Sequence, residues 1–226
     1  MPSLCRMFMR YLIVFFLLTS CRAVAQFEGI VESRNVTIDQ TGSRLEYVTS
    51  IWVKNGMARI VNSASESVPA VIMIYRSDLK LVWMINDDDK TYVEISHADQ
   101  PRKSGAQKGK GTVKKSGQGT TVLGYPCDHY VLKSGEATTE VWGTKRLSGL
   151  AATLAAILGV GEEDEESPQV DELTALGVFP LRTVTKIGGN VIDSQDVTRI
   201  EKKSLADDIF SLPPGYTRQS AGGMLK

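Results

Sequence analysis

Cysteine is scarce in this chain, with only Cys5, Cys21 and Cys127 among 226 residues. So few thiols cannot staple a domain, so stability must come from packing. Histidine is scarcer still, with only His97 and His129. A zinc site built from Cys127 and these two would need a fourth ligand that no spacing supplies. Net charge is also lacking, since 26 basic residues balance 26 acidic ones. That balance gives no general attraction to nucleic acid or anionic lipid. No second apolar run approaches the ~20 residues of a membrane-spanning helix, and no fixed-period repeat is present.

One apolar run does stand out, at the N-terminus. Arg6 and Arg10 precede Tyr11-Leu12-Ile13-Val14-Phe15-Phe16-Leu17-Leu18, and Ala23-Val24-Ala25 follows. A basic stretch, a short apolar run and a small-x-small site make an export signal, here residues 1–25, with Gln26 as the new N-terminus. Leu18-Thr19-Ser20-Cys21 also resembles a bacterial lipobox. Cleavage there would leave Cys21 as a lipidated anchor and an outer-membrane lipoprotein, on a tether of only about six residues, short for clearing the headgroups. The expectation is therefore a periplasmic or secreted product cut after Ala25. The removed stretch carries Arg6, Arg10 and Arg22 and no acid, leaving 23 basic and 26 acidic residues and a net charge of about −3.

The rest reads as strands and tight turns. Alternating apolar and polar residues mark strands at 27–38, 44–54, 57–62, 68–75, 81–85 and 91–95. Asn55-Gly56 between two of them is a strong hairpin signal, because both residues tolerate positive φ. Short links force such neighbours to pair antiparallel. Further strands are expected at 120–123, 129–133, 136–142, 178–187 and 191–200, eleven in all. Between the two sets, 101–119 is rich in Gly, Lys and Ser and reads as a basic, flexible loop without the interleaved aromatics of a nucleic-acid platform.

At 147–158 the period changes to an apolar, alanine-rich run, which marks a buried helix. The acidic run Glu162-Glu163-Asp164-Glu165-Glu166 follows, without the spacing of a calcium loop. A second helix is expected next, capped by Ser167, with Pro168 in its first turn and Gly177 at its end. The sequence implies one domain over 27–218 and a tail at 219–226.

Several segments carry a family resemblance: Phe27-Glu28-Gly29, Thr121-Val122-Leu123-Gly124-Tyr125-Pro126-Cys127 with Tyr130, Glu140-Val141-Trp142, Gly177-Val178-Phe179-Pro180-Leu181, and Phe210-Ser211-Leu212-Pro213-Pro214-Gly215-Tyr216. They look like those of a family of exported bacterial proteins of unknown function with a LolA/LolB-like lipoprotein-carrier domain. The resemblance covers most of 27–216. It implies a mainly β fold in which an antiparallel sheet curls into a half-barrel with helices on its concave face. The carrier-like fold also implies a hydrophobic ligand, either lipid or an apolar protein segment, and with no catalytic motif above background the expectation is a non-enzymatic binder. Physics agrees on the shape, since a long twisted sheet must curl and its inner face needs a filler.

The candidate ligand-binding residues are Trp52, Trp83 and Trp142 on strands and Leu150 and Leu154 on the helix. The rival reading is an interaction module with a filled core. A third is a thiol enzyme, since Cys127 and His129 are two apart and share a strand face. Asp128 points away and cannot orient that histidine. No metal or cofactor is implied: Asp87-Asp88-Asp89 reads as a solvated turn. Asn35-Val36-Thr37 fits a glycosylation sequon, discounted because the signal is bacterial.

Overall fold

Strand alternation organises the molecule. The computed structural model describes residues 27–63, 70–96, 112–117, 119–158, 173 and 175–220. Six strands follow one another as an antiparallel meander: β1 (Gly29–Ile38), β2 (Arg44–Lys54), β3 (Met57–Asn62), β4 (Val71–Arg76), β5 (Leu81–Asn86) and β6 (Thr91–Ser96). Asn55 and Gly56 link β2 to β3 with φ of 48° and 77°, as the hairpin signal requires. Then come β7 (Thr112–Lys115), β8 (Thr120–Val122), β9 (Tyr125–Ser134) and β10 (Ala137–Thr144), and a helix α1 (Ser148–Leu158) after one 3-10 turn. The chain closes with β11 (Phe179–Ile187), β12 (Asn190–Lys202), a 3-10 turn (Asp207–Phe210) and β13 (Thr217–Gln219).

The sheet order is β13-β6-β5-β4-β3-β2-β1-β12-β11-β10-β9-β7, with β8 beside β9. β12 returns to pair with β1, which joins the meander to the second set of strands. The ends do not meet, so the sheet is unclosed. It is curled as well. α1 is roughly 16 Å long, yet it touches both β4 and β11. Those strands lie five places apart, about 24 Å across a flat sheet. A sheet wrapped around the helix brings both within reach. This is the expected mainly β half-barrel, with thirteen strands among the described residues where alternation marked eleven.

The two added strands have a common cause. β7 lies where composition indicates a loop, and β13 follows Pro213-Pro214-Gly215. β13 is fully exposed and β7 nearly so, and both sit at edges, so neither needs an apolar pattern. β13 pairs parallel to β6, unlike every other pair among the described residues. The second expected helix and the acidic run 162–166 lie almost wholly outside the described residues. Leu173 and Ala175 are helical, and the Val178 N–H donates to the Leu173 carbonyl at 3.0 Å. With Gly177 at φ 67°, that bond is a Schellman helix end.

Packing divides by face. On one side the 3-10 turn and α1 bury Leu147, Leu150, Ala151, Leu154 and Ile157 against Val31, Val53, Ala58, Phe179, Leu181 and Val197. On the other, Leu205 and Phe210 cover Ile30, Ile72, Ile74, Trp83 and Ile85. Val31 and Ile30 are adjacent in β1 and point opposite ways, so the two cores share strands but not a surface. A third cluster joins Tyr130, Leu132, Val141, Leu173 and Val178. Close approach of backbones fixes Gly29, since a Cβ there would meet the Glu201 carbonyl oxygen at 2.0 Å.

Candidate functional site

The trough beneath α1 is built from strand alternation. Val31 in β1 stands opposite Ile51 in β2, and Ile51 opposite Ile60 in β3. Val53 and Ala58 pair likewise and are fully buried. Together they make an apolar floor. α1 lies over it with no charged residue in its length. Leu150 and Leu154 point down and are buried, while Ala152 and Ala156 face outward. Thr153 is buried as well, and its hydroxyl donates to the Gly149 carbonyl at 2.8 Å within the helix. The helix enters from a 3-10 turn capped by Thr144, whose side chain accepts from the Arg146 N–H.

Beyond Val31 the same face turns polar. Ser33 and Asn35 alternate with Val31 and are buried at 3% and 6% exposure. Gln195 Nε2 donates to Ser33 Oγ at 3.3 Å, and Asn35 Nδ2 to Thr49 Oγ1 at 2.9 Å. Thr49 Oγ1 in turn donates to Asn62 Oδ1 at 2.8 Å. In the sequence Asn35 stands out only as part of a sequon, and the polar row is not evident. The signal was available: Val31, Ser33, Asn35 and Thr37 alternate with the charged Glu32 and Arg34.

The five candidate ligand-binding residues do not converge. Leu150 and Leu154 line the trough, and Trp142 packs at its margin. Trp52 and Trp83 belong to the other core, beneath the C-terminal segment. Trp83 Nε1 donates to Glu94 Oε2 at 3.0 Å, and the Arg76 guanidinium lies 5.7 Å from its ring centroid. A sheet has two faces, and residue type alone does not say which face a tryptophan joins.

Cys127 and His129 share a strand face but not a bond. Cys127 is buried and its Sγ donates to the Tyr125 carbonyl at 3.4 Å. Burial pushes its thiol pKa up, the reverse of what a nucleophile needs. The His129 ring stacks on Trp142 with centroids 4.8 Å apart. Its Nδ1 faces the Ser116 carbonyl at 2.9 Å, so Nδ1 carries a proton there. Its Nε2 lies 3.3 Å from Glu140 Oε2, without hydrogen-bond alignment. A hydrogen bond from Lys186 holds the Glu140 carboxyl below its ordinary pKa. Asp128 pairs with Lys115 at 2.9 Å, away from His129. A groove of about 510 Å³ lies nearby, lined by Thr120, Thr121, Cys127, Gly143, Lys145 and Arg146 among others.

Asn86 Oδ1 accepts from the Asp88 and Asp89 N–H groups, and the Tyr216 hydroxyl donates to Asp87, so the aspartate run is a hydrogen-bonded turn. His97, Cys21 and the export signal lie outside the described residues, as does 101–111 of the basic loop.

No curated protein matches the chain. Among solved structures, an uncharacterized conserved protein from Thermus thermophilus is similar at 12% identity and a TM-score of 0.49, over 85% of this chain and 91% of that one. A LolA superfamily protein from Nitrosomonas europaea is 10% identical with a TM-score of 0.38, over 83% and 91%. A putative outer membrane lipoprotein-sorting protein domain from Vibrio parahaemolyticus is 10% identical with a TM-score of 0.32, over 81% and 89%. Residues 27–216 match the model of a domain of unknown function, DUF4412, and the chain belongs to that family.

Proposed function

We propose that this protein is an exported, non-enzymatic binder of an apolar ligand, a lipid acyl chain or an apolar protein segment. The ligand is held between α1 and the sheet. One observation carries the reading: α1 is an insertion in the β10–β11 connection, and β10 and β11 pair directly without it. The helix can lift from its apolar floor without breaking a strand pair. Lifting it opens a trough of Val31, Ile51, Val53, Ala58 and Leu181, the kind of concave apolar surface that takes a hydrophobic ligand. Export rests on residues 1–25, and the mature protein contacts the outer membrane only if Cys21 is lipidated.

The test is mass spectrometry of organic extracts from the purified protein, followed by titration with a fluorescent fatty acid. Co-purified lipid or saturable uptake is the expected result. An extract without lipid together with no uptake sinks the proposal. A second reading, a protein-interaction module with a filled core, is favoured by the depth of Leu150 and Ile157, at 1% and 2% exposure. It expects a protein partner in a pull-down and no uptake of the fatty acid.

A further inference from the structure

We infer that the ligand is a neutral amphiphile, an acyl chain ending in an uncharged, hydroxyl-bearing head such as glycerol. This rests on the apolar trough proposed above and adds where the head lies: on the polar row that continues the trough floor along β1, β2, β11 and β12.

The first ground is the level at which the chemistry changes. In β1 it changes after Val31, at Ser33. In β2 it changes after Ile51, at Thr49, which stands opposite Ser33. In β12 it changes after Val197, which also stands opposite Ser33, to Gln195 opposite Asn35. β1 and β2 thus pass from apolar to polar at the level of Ser33, and β12 one residue pair further on, at the level of Asn35, where Tyr47 of β2 faces the same side. The step from Val31 to Ser33 is about 7 Å, two strand residues. A chain lying on the apolar floor would therefore set its end against the polar row.

The second ground is cost. Buried polar side chains are unfavourable unless paired, and valine or isoleucine would fill these strand positions without that cost. The row is instead kept polar and pre-ordered. Thr37 Oγ1 donates to Asp193 Oδ2 at 3.0 Å, and the Thr139 and Thr185 hydroxyls lie 3.1 Å apart. Ser33 and Asn35 are the buried base, and Thr37, Thr49, Thr185 and Gln195 remain half exposed at its edges. Their hydroxyls and amides both donate and accept, which suits a hydroxylated partner.

The third ground is charge. The alternate residues of the same strands, on the opposite face, carry Arg34, Glu46, Arg182, Asp196 and Lys186, four of which form ion pairs with one another. From Val31 to Thr37 the polar row holds one charged group, Asp193, and Thr37 engages it. A carboxylate or phosphate head would find no described cation here. An extended peptide would pair with a sheet edge through its backbone rather than lie on side chains of a sheet face.

The experiment displaces a bound fluorescent fatty acid from the exported chain with mono-oleoylglycerol, oleate, lysophosphatidate or an apolar peptide. Mono-oleoylglycerol is expected to displace the probe at a concentration at least tenfold below that of oleate. Thr49→Val and Thr185→Val, each separately, should bring that ratio toward one by raising the concentration of mono-oleoylglycerol needed to displace the probe. Equal potency of the glyceride and oleate, tighter lysophosphatidate or peptide, or an unchanged ratio in both variants overturns the assignment of the head and leaves the trough standing. Failure of the probe to bind at all overturns the trough and this inference with it.

Discussion

Burial of the Cys127 sulfur sets its chemistry. The thiol sits at 3% exposure, and desolvation raises its pKa above the ordinary value. In the folded state it keeps its proton to a higher pH than in the unfolded chain. Stability from this residue is therefore whole below the unfolded thiol value near 9 and is lost as pH rises through that window. Urea unfolding at pH 8, 9 and 10 should show the wild type losing stability relative to Cys127→Ala. Iodoacetamide at pH 8 should leave Cys127 unmodified in the native protein and label it fully in urea. Rapid native labelling would revive a thiol nucleophile. At this scale the sequence was half legible. Spacing placed Cys127 and His129 on one face, but whether a side chain ends against a carbonyl or an imidazole depends on strands far away. Ser116, which occupies His129 Nδ1, comes from the segment between β7 and β8.

At the level of elements, the C-terminal segment matters as much as the helix. Residues 203–219 run across the outer face of the meander. Lys54 reaches the Leu205 carbonyl and pairs with Asp207 at 2.8 Å, and Arg76 donates to the Phe210 carbonyl at 3.3 Å. Phe210 is fully buried against the core that holds Trp83. Phe210→Ala should cost about 3–5 kcal/mol by cavity formation and expose Trp83 to acrylamide quenching. A loss below ~1 kcal/mol would mean the segment is not part of the core. The motif ending in Pro213-Pro214-Gly215 was visible as a rigid stretch, but its docking was not, since an exposed three-residue edge strand leaves no pattern. Asn55-Gly56 was fully legible because a local φ requirement decides it.

The whole molecule couples two cores through common strands. β1, β3 and β4 contribute Val31, Ala58 and Tyr75 to the core beneath α1, and Ile30, Met57 and Ile74 to the core beneath Phe210. Losing either core frees the strands that build the other, so one cooperative transition is expected. Tryptophan fluorescence, which reads Trp83 and Trp142 on separate cores, should follow the same urea curve as far-ultraviolet circular dichroism. Two separated midpoints would show that the cores melt independently.

Period and turn chemistry in the sequence by themselves determined eleven of the strands, the Asn-Gly hairpin and the apolar helix, because each rests on neighbours within a few residues, whereas the exposed edge strands β7 and β13 left no such pattern. The expected export signal likewise rests on a local pattern. Only the tertiary structure decided which face each strand residue joins, that Trp52 and Trp83 lie away from the trough, and that Ser33, Asn35, Thr49 and Gln195 form one polar row. Those outcomes depend on register between strands far apart in the chain, as when β12 returns to pair with β1. No local propensity encodes that pairing; it is fixed when the sheet curls over α1 and both faces find cover.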